Sequence, residues 1–510
     1  MCMGCGVSRR GFLQAAAVAG AVTLAPVAFA EAAEGQAETK VLTGRFEPGT
    51  ADFVYLPVEV PAGVSQLSVV YSYDKPAVPS GTPGNSCDIG IFDNRGTALG
   101  GDGFRGWSGG FRDRFSISRT EATPGYLPGD ITPGTWHIVL GPYTIAPQGL
   151  NYRVEVTLTH GPAGEPYRPN YPAERTRTRG RQWYRGDCHL HTVHSDGKRL
   201  PSEVAAGARE AGLDFITSTD HNTSSSHGVW GEFAGDDLLI MLGEEVTTRN
   251  GHWLALGVRP GQFVDWRYRS RDGELPEYQR AVHRSGGLCV AAHPYCPWVG
   301  CNFKFGYTGF DAVEVWNGPW TWDDDAAVSE WDNTLVESVR GKGSWLPAMG
   351  NSDAHNPGQT IGLPQTVVLA DALTRDAILD GIKAGRSWIA ESAGVDLSLA
   401  ATGPRGQAAG IGDRLAVAAG DKVAVRLDVS GVPNGTVRLI TDEGQVFQQS
   451  LPASGTGSVT WLTTPAVSAY VRAEVRHPLA DGSAGAPALS AGLNFGAMAA
   501  MTNPIFLGRV

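Results

Sequence analysis

The stretch WYRGDCHLHT, from Trp183 to Thr192, reads as a short strand that ends in two closely spaced histidines, His189 and His191. Residues i and i+2 of a strand point to the same face, so both imidazoles can reach one ion. Asp196 follows in the turn Ser195-Asp196-Gly197, which can fold a carboxylate back toward them. A His-x-His pair also occurs by chance on protein surfaces. The rest of the chain must therefore decide whether this pair binds metal.

Strand and helix patterns alternate from this stretch onward. Apolar runs of strand length fall at 183–188, 214–219, 238–242, 253–258, 288–292, 311–316 and 346–349. Helical patterns fall at 201–211, 276–284, 325–340 and 374–384. Seven strands alternating with helices or loops predict a parallel, barrel-like α/β domain.

Ligand-type side chains recur where these predicted strands end. They stand in Thr219-Asp220-His221, Gly243-Glu244-Glu245, Ala292-His293-Pro294 and Ser352-Asp353-Ala354-His355. The carboxyl ends of strands in a parallel barrel share one mouth, where such folds place their active sites. His252 lies at the start of its strand instead, and it needs local bending to reach the same pocket. Six histidines and three carboxylates are more ligands than one tetrahedral zinc uses.

Together these motifs resemble the polymerase and histidinol phosphatase (PHP) family of metal-dependent phosphoesterases, over roughly Arg185 to Arg386. The resemblance implies a distorted seven-stranded (β/α) barrel that holds two or three divalent metal ions. The ligands it implies are His189, His191, Asp196, His221, Glu245, His252, His293, Asp353 and His355. Asp196 stands where some members have histidine, and Glu245 rather than Glu244 fits the G-x-E pattern.

Within that family, the flanking segments resemble the branch of the carbaryl-hydrolysing CehA/McbA enzymes. The features that carry this likeness are the stretch Gly251 to Gly257, the tail Thr502-Asn503-Pro504-Ile505, an export signal and flanking β domains. Some members of that branch cleave carbamate or carboxylic esters.

A multinuclear metal centre predicts hydrolysis. Clustered divalent ions make hydroxide available near neutral pH and neutralise the oxygen on which charge develops. Glu245 is the expected carboxylate bridging two ions, and His221, His293 or Asp353 could move a proton to the leaving group. Mixed histidine and carboxylate ligands accept zinc, manganese or iron.

Three functions stay open on the sequence. The first is a phosphoesterase that acts on a small phosphomonoester or phosphodiester through a metal-bridging hydroxide. The second is a carbamate or carboxylic ester hydrolase. The third is a non-catalytic binding protein in which the flanking domains engage a glycan or a partner.

Short alternating strands separated by glycine and proline flank the α/β segment. They predict a β-sandwich-like domain over 41–160, a linker over 161–180 and a second β-sandwich-like domain over 393–510, around a metallohydrolase barrel at 181–392. The short spacing of Cys296 and Cys301 permits a disulfide but does not require one.

Residues 1–30 resemble a twin-arginine export signal. Ser8-Arg9-Arg10-Gly11-Phe12-Leu13 precedes an apolar stretch, and Ala28-Phe29-Ala30 offers a cleavage site. The sequence thus predicts a periplasmic or extracellular protein that meets the twin-arginine translocase and has no membrane segment when mature. A net charge of −11 without long basic runs argues against nucleic acid as a stable partner.

Overall fold

The computed structural model describes residues 36–177, 180–298, 300–479 and 496–508. The predicted signal at 1–30 lies outside them. The chain divides into two compact units, one ending at Tyr167 and the other beginning at Arg168. Among the described residues, no helix has both the length and the apolarity that a bilayer crossing demands.

The first unit consists of two antiparallel four-stranded sheets. Its strands are β1 (Ala37–Phe46), β2 (Val54–Val60), β3 (Val64–Tyr73), β4 (Ser86–Phe92), β5 (Phe104–Gly109), β6 (Arg114–Ser118), β7 (Gly134–Thr144) and β8 (Leu150–His160). The sheet orders are β1-β8-β3-β6 and β2-β7-β4-β5. Alternate side chains of both sheets, such as Leu67 and Ile138, enter one buried core, as the period of two in these strands requires.

The second unit begins with an α/β segment in which the four predicted helices are present. Its strands are β9 (Gln182–Asp187), β10 (Phe215–Ser218), β11 (Leu239–Thr248), β12 (Gly251–Leu256), β13 (Leu288–Ala291), β14 (Ala312–Asn317), β15 (Ala348–Asn351), β16 (Gln365–Ala370) and β17 (Ser387–Ala390). Its helices are α1 (Pro201–Glu210), α2 (Leu275–Arg284), α3 (Trp322–Val339) and α4 (Arg375–Lys383).

The expectation of an all-parallel sheet is wrong. Strands β9, β10 and β11 are parallel, as are β13, β14 and β15, but β12 runs antiparallel to both of its neighbours. The reason is the short turn at Arg249-Asn250, because a two-residue connection can join only antiparallel strands. Strands β16 and β17 continue the other edge, also antiparallel.

The sheet curls until β15 approaches β9 and β16. Within the described residues, side chains rather than a backbone ladder bridge β15 to β16: Thr366 Oγ1 contacts both Gly350 N, at 3.0 Å, and Gly350 O, at 2.7 Å. Asn351 Oδ1 accepts a hydrogen bond from Cys188 N at 2.8 Å, which joins the ends of β15 and β9. The resulting α/β segment is a curled, mixed sheet, which does not confirm the distorted seven-stranded (β/α) barrel that the resemblance implies.

The remaining strands form a β region of which only part belongs to the same large sheet, the rest forming a separate four-stranded sheet. They are β18 (Asp396–Thr402), β19 (Ala408–Gly410), β20 (Arg414–Leu415), β21 (Val423–Ser430), β22 (Thr436–Thr441), β23 (Gly444–Ser450), β24 (Gly457–Thr463), β25 (Tyr470–Arg476), β26 (Met498–Thr502) and β27 (Ile505–Leu507). Strand β26 pairs with β17, so the sheet runs on through β26, β25, β22 and β23. The sequence boundary at 393 therefore falls inside one compact unit.

The side chain of Asn503, in the tail motif Thr502-Asn503-Pro504-Ile505, forms hydrogen bonds with two other strands. Its side chain accepts from Ala348 N at 2.8 Å and donates to Ala348 O at 3.1 Å and Ser387 O at 3.0 Å. One buried amide thus ties the C-terminal tail to β15 and β17.

Candidate metal centre

The first part of the centre is the chain just after β9, which carries His189 and His191. Both side chains are fully buried. The backbone between them is held by other strand ends: Leu190 N donates to Thr219 Oγ1 at 2.9 Å, and His191 N donates to Ala354 O at 3.3 Å. These bonds keep the two imidazoles on one side of the chain, with ring centroids 5.1 Å apart.

Glu245, in β11, stands at the middle of the centre. Its carboxylate oxygens lie 2.8–3.3 Å from five imidazoles: Oε1 faces His252 Nδ1 and His293 Nε2, and Oε2 faces His189 Nε2, His191 Nε2 and His221 Nδ1. The two oxygens of one carboxylate therefore serve different sets of imidazoles. A carboxylate shared between two ions needs this arrangement.

Asp353 closes the side of the centre next to β15. Its Oδ1 lies 2.9 Å from His191 Nε2, 3.2 Å from His189 Nε2 and 3.5 Å from His355 Nδ1. The backbone of Asp353 has φ +49°, a left-handed conformation that non-glycine residues adopt at some cost. Surrounding contacts hold this strained turn and aim its carboxylate inward.

Asp196 joins a third set of side chains at the outer side. Its Oδ1 lies 3.4 Å from His355 Nε2 and 3.5 Å from His221 Nε2. The turn Ser195-Asp196-Gly197 folds back as the sequence indicates, because Ser195 Oγ and Thr192 N both donate to Asp220.

The nine residues that the sequence nominates lie in one cluster, and they fall into three groups, of which the first two share His191. In each group the ligand-type atoms lie within 4.8 Å of one another: His189, His191, Glu245 and Asp353; His191, Asp196, His221 and His355; and His252, His293 and Cys301. Imidazole nitrogens with carboxylate oxygens are a ligand set that divalent transition metals accept.

Unpartnered polar atoms face the interior of the cluster. Five buried atoms make no hydrogen bond: His189 Nε2, His191 Nε2, Asp196 Oδ1, Glu245 Oε2 and Asp353 Oδ1. An unpaired buried polar atom costs roughly 1–3 kcal/mol, so five around one space strongly disfavour an empty interior. The residues present fit a group of divalent cations.

The charges within the cluster also favour cations. Burial alone would raise the pKa of Glu245, but His221, His189 and His252 hold it well below its usual range. The pKa of Asp353 is likewise held well below its usual range against the effect of burial, chiefly by His189. Both carboxylates are ionised at neutral pH. Burial, aided by the charges of His355 and His221, lowers the pKa of His191 to about 4, which leaves that imidazole neutral with a lone pair to donate.

In four of the rings, Nδ1 contacts an outer partner while Nε2 faces the carboxylates. The Nδ1 contacts are His189 with Glu314 Oε1 at 3.1 Å, His191 with Ser195 Oγ at 3.5 Å, His293 with Cys301 Sγ at 3.5 Å and His355 with Asp353 O at 2.8 Å. Metal-binding histidines commonly use the second ring nitrogen in this way, which fixes the tautomer and the ring orientation.

Glu314 contacts two residues of the candidate centre, and the sequence analysis missed it. It lies fully buried in β14, accepts from Asn351 Nδ2 at 2.9 Å and Asn317 Nδ2 at 3.0 Å, and holds both His189 Nδ1 and His293 N. The available signal was a charged residue inside the apolar strand Ala312–Asn317, where burial without a partner would be costly.

Three carboxylates near the centre, Glu244, Asp187 and Asp220, accept hydrogen bonds from the surrounding chain. Glu244 Oε2 accepts from Val264 N at 3.0 Å, on the other face of β11, and burial raises its pKa well above the usual value. Asp187 accepts from His189 N and Ser352 Oγ. These contacts, with those of Asp220, brace the loops that carry the ligands.

The cluster has a buried floor and an open side. His189, His191 and Glu245 have side chains at most 1% exposed, whereas the side chain of Asp196 is 40% exposed and that of His355 24%. A substrate can therefore reach the centre from the side formed by Asp196, His221 and His355.

Comparisons with known proteins return only distant structural similarities. No family model and no curated protein matches the chain. A two-domain protein from Bacteroides vulgatus, described as containing a predicted PHP-like metal-dependent phosphoesterase, is 15% identical, with a TM-score of 0.33 over 62% of this chain and 95% of that one.

Two further solved structures are similar over shorter spans. A protein from Bifidobacterium adolescentis, described as a metal-dependent phosphoesterase, is 20% identical, with a TM-score of 0.28 over 39% of this chain and 94% of that one. An amidohydrolase from Chromobacterium violaceum with bound sulfate is 18% identical, with a TM-score of 0.26 over 35% of this chain and 89% of that one. Values this low establish no shared fold, so the functional assignment depends on the geometry of the centre.

Proposed function

We propose that this chain is a metal-dependent hydrolase of ester bonds that holds two or three divalent ions of zinc, manganese or iron. The observation that supports this most is Glu245, whose Oε1 and Oε2 face separate sets of imidazoles within 3.3 Å. Divalent ions at this centre would acidify a water molecule and stabilise the charge that develops on an ester oxygen.

The chain's own residues would position the reactants. Glu245 in the buried floor and Asp353 at the side next to β15 are both ionised and would hold positive charge between them, and Glu314 keeps His189 in the ligating orientation. His221 and Asp196 lie at the open side, where either side chain could give a proton to the leaving group. His293 contacts Glu245 through Oε1, whereas His221 contacts the other oxygen of that carboxylate, Oε2.

Phosphoesters are the substrate class that we favour. A phosphate group carries more negative charge than a carbamate or carboxylic ester, and it gains more from several cations around it. A cation held by the group of His191, Asp196, His221 and His355 would add positive charge at the open side, where a phosphate enters.

The test compares substrate classes on one metal-loaded preparation. Mature protein containing zinc, manganese or iron is offered an aryl phosphate, a bis-aryl phosphate, an aryl carbamate and an aryl carboxylic ester. We expect the phosphate esters to turn over fastest, and the activity to be lost in Asp353→Ala but kept in Asp413→Ala, whose carboxylate pairs with Arg386. Faster carbamate or carboxylic ester turnover would assign the second function, and no turnover of any ester by metal-replete protein would contradict the hydrolase.

We further propose that residues 1–30 direct export through the twin-arginine translocase to the periplasm or beyond. The signal pattern at Ser8 to Leu13 supports this, as does the disulfide between Cys296 and Cys301, a bond typical of oxidising compartments. Replacing Arg9 and Arg10 together by lysine is expected to leave the full chain in the cytoplasm. Unchanged export of that variant would contradict the twin-arginine assignment.

A further inference from the structure

The loop that follows His293 is closed by a disulfide between Cys296 and Cys301. The loop begins against His293 itself, because Cys296 N donates to His293 O at 2.9 Å. It then lies along the start of β12, where Gly251 N donates to Gly300 O at 2.9 Å. The disulfide loop (the described residues Cys296–Trp298 and Gly300–Cys301) is therefore anchored beside His293 and next to His252, the two imidazoles that face Glu245 Oε1.

The sulfur of Cys301 contacts the outer nitrogen of His293. Cys301 Sγ lies 3.5 Å from His293 Nδ1, while His293 Nε2 lies 3.2 Å from Glu245 Oε1. His189 shows the same division, with Nδ1 on Glu314 and Nε2 toward the carboxylates. A partner on Nδ1 places the proton there and leaves the lone pair of Nε2 for a metal ion.

The backbone at His293 needs such support. Its φ is +25°, a sparsely populated conformation for a residue with a side chain, and it persists only where neighbours hold it. Glu314 Oε2 accepts from His293 N at 3.0 Å on one side. On the other side the support comes from the disulfide loop.

We propose that Cys301 is a positioning residue for His293, and that the Cys296–Cys301 disulfide makes metal binding at the His252–His293 subsite depend on the thiol redox state. The inference rests on the proposed function, because it concerns one of the ions of that centre. Reduction breaks the S–S bond and gives two thiols. The loop then loses its cross-link, and the sulfur of Cys301 is free to leave Nδ1. The subsite binds its ion tightly only in the oxidised chain.

The experiment measures cobalt(II) binding by the mature protein in competition with a chromophoric chelator. One sample is kept oxidised. The other is reduced with a trialkylphosphine, which takes the oxygen of one water molecule to become the phosphine oxide while the two sulfurs become thiols. The reductant is then removed by gel filtration without oxygen. Cys296→Ala, Cys301→Ala and the double variant are measured beside them.

We expect one bound ion to weaken by about 10–100-fold on reduction and in each cysteine variant, the range seen when an outer partner of a metal ligand is removed. The other ions should keep their affinity. The double variant is the control: it has no Cys296–Cys301 disulfide to reduce, so phosphine treatment should not change its cobalt affinity. The circular dichroism and melting temperature of the metal-free proteins show whether the loop change spares the fold.

Three results would overturn the inference. One is equal affinity in oxidised and reduced protein. Another is the weakening of every ion together with loss of the fold. The third is a thiolate-to-cobalt charge-transfer absorption in the reduced protein, which would make Cys301 a ligand instead of a positioning residue. Failure of the proposed function looks different, because the oxidised wild-type protein would then bind no cobalt.

Discussion

At the scale of single residues, the adjacent glutamates Glu244 and Glu245 of β11 have different surroundings. Glu245 contacts five imidazoles, whereas Glu244 turns to the opposite face and accepts from Val264 N. The period of two in a strand produces this division. The G-x-E pattern favours Glu245, and the structure shows that Glu245 rather than Glu244 faces the imidazoles.

Replacing Glu245 by glutamine should remove at least one bound ion. The change keeps the shape of the side chain but removes the charge that two sets of imidazoles share. Metal per chain, measured by elemental analysis after desalting, should fall by one or more equivalents. Glu244→Gln is the matched control and should keep the wild-type content, and a full complement in Glu245→Gln would contradict the role assigned to this carboxylate.

Replacing Glu314 by glutamine should weaken metal binding without removing a ligand. An amide is a weaker acceptor for His189 Nδ1 than a carboxylate. The imidazole ring would therefore be held less firmly in its orientation, and its Nε2 would be less basic. The expected loss in affinity is about 10–100-fold. Competition with a chelator measures it, and an unchanged affinity would show that His189 does not depend on Glu314.

The clustering of the nine nominated residues could be predicted because each is a ligand-type residue beside a recognisable strand. Glu314 could not, since its partner His189 lies 125 positions away in sequence and only the curled sheet brings them together. Its isolated charge in an apolar strand gives no hint of which residue it meets.

At the scale of elements, the hairpin of β11 and β12 brings His252 to the centre. In the antiparallel register His252 lies opposite Thr247, two residues beyond Glu245, and its Nδ1 reaches Glu245 Oε1 at 2.8 Å. The sequence locates both strands, yet their relative direction depends on the turn at Arg249-Asn250. Apolar runs predict where strands lie and say little about which way neighbours run.

Gly251 is the residue on which this hairpin depends most. Its φ is +107°, and a Cβ there would lie 2.6 Å from the Cα of Phe303. Gly251→Ala should destabilise the fold by about 1–3 kcal/mol, since it combines a left-handed backbone with a clash. It should also weaken metal binding, because His252 is the next residue.

Denaturant unfolding and chelator competition measure the two effects. Gly273→Ala is the control: its φ is also positive, at +75°, but nothing lies within 4 Å of an added Cβ. The control should lose stability by about 1 kcal/mol and keep its metal affinity. If both variants behaved alike, the contact with Phe303 would have no role in holding His252.

At the scale of the whole second unit, charged residues join strand β25, in the C-terminal β region, to helix α3. Arg472 Nε lies 2.6 Å from Asp332 Oδ1, Arg476 Nη2 lies 2.9 Å from Asp325 Oδ1, and Glu474 sits between the two arginines. The sequence predicted β structure in this region. It could not predict that charged residues of β25 would pair with a helix more than 100 residues earlier, because that pairing depends on tertiary packing.

Glu474 makes the stability of this junction depend on pH. Burial would raise its pKa, but Arg472, Arg476 and Arg438 lower it from 4.5 to about 2. A folded-state pKa below the unfolded value adds stability that is fully present above about pH 4.5 and is lost as the pH falls toward 2. Such a shift corresponds to about 3 kcal/mol.

Glu474→Gln should therefore reduce the free energy of unfolding by about 3 kcal/mol at pH 7, because it removes the buried carboxylate that Arg438, Arg472 and Arg476 share. The difference from wild type should shrink between pH 4.5 and 2. Asp428→Asn, which removes an exposed pair with Arg426, should cost less than about 1 kcal/mol. A difference for Glu474→Gln that stays constant down to pH 2 would contradict the assigned ion pairs.

The most direct test of the central claim is the number of transition-metal ions per chain in the purified, oxidised mature protein, measured by elemental analysis after supply of zinc, manganese and iron in turn. We predict two or three equivalents of at least one metal, reduced in His191→Ala and unchanged in Glu244→Gln. Absence of stoichiometric metal under all three supplies would contradict a metal centre around Glu245 and, with it, the proposed hydrolase.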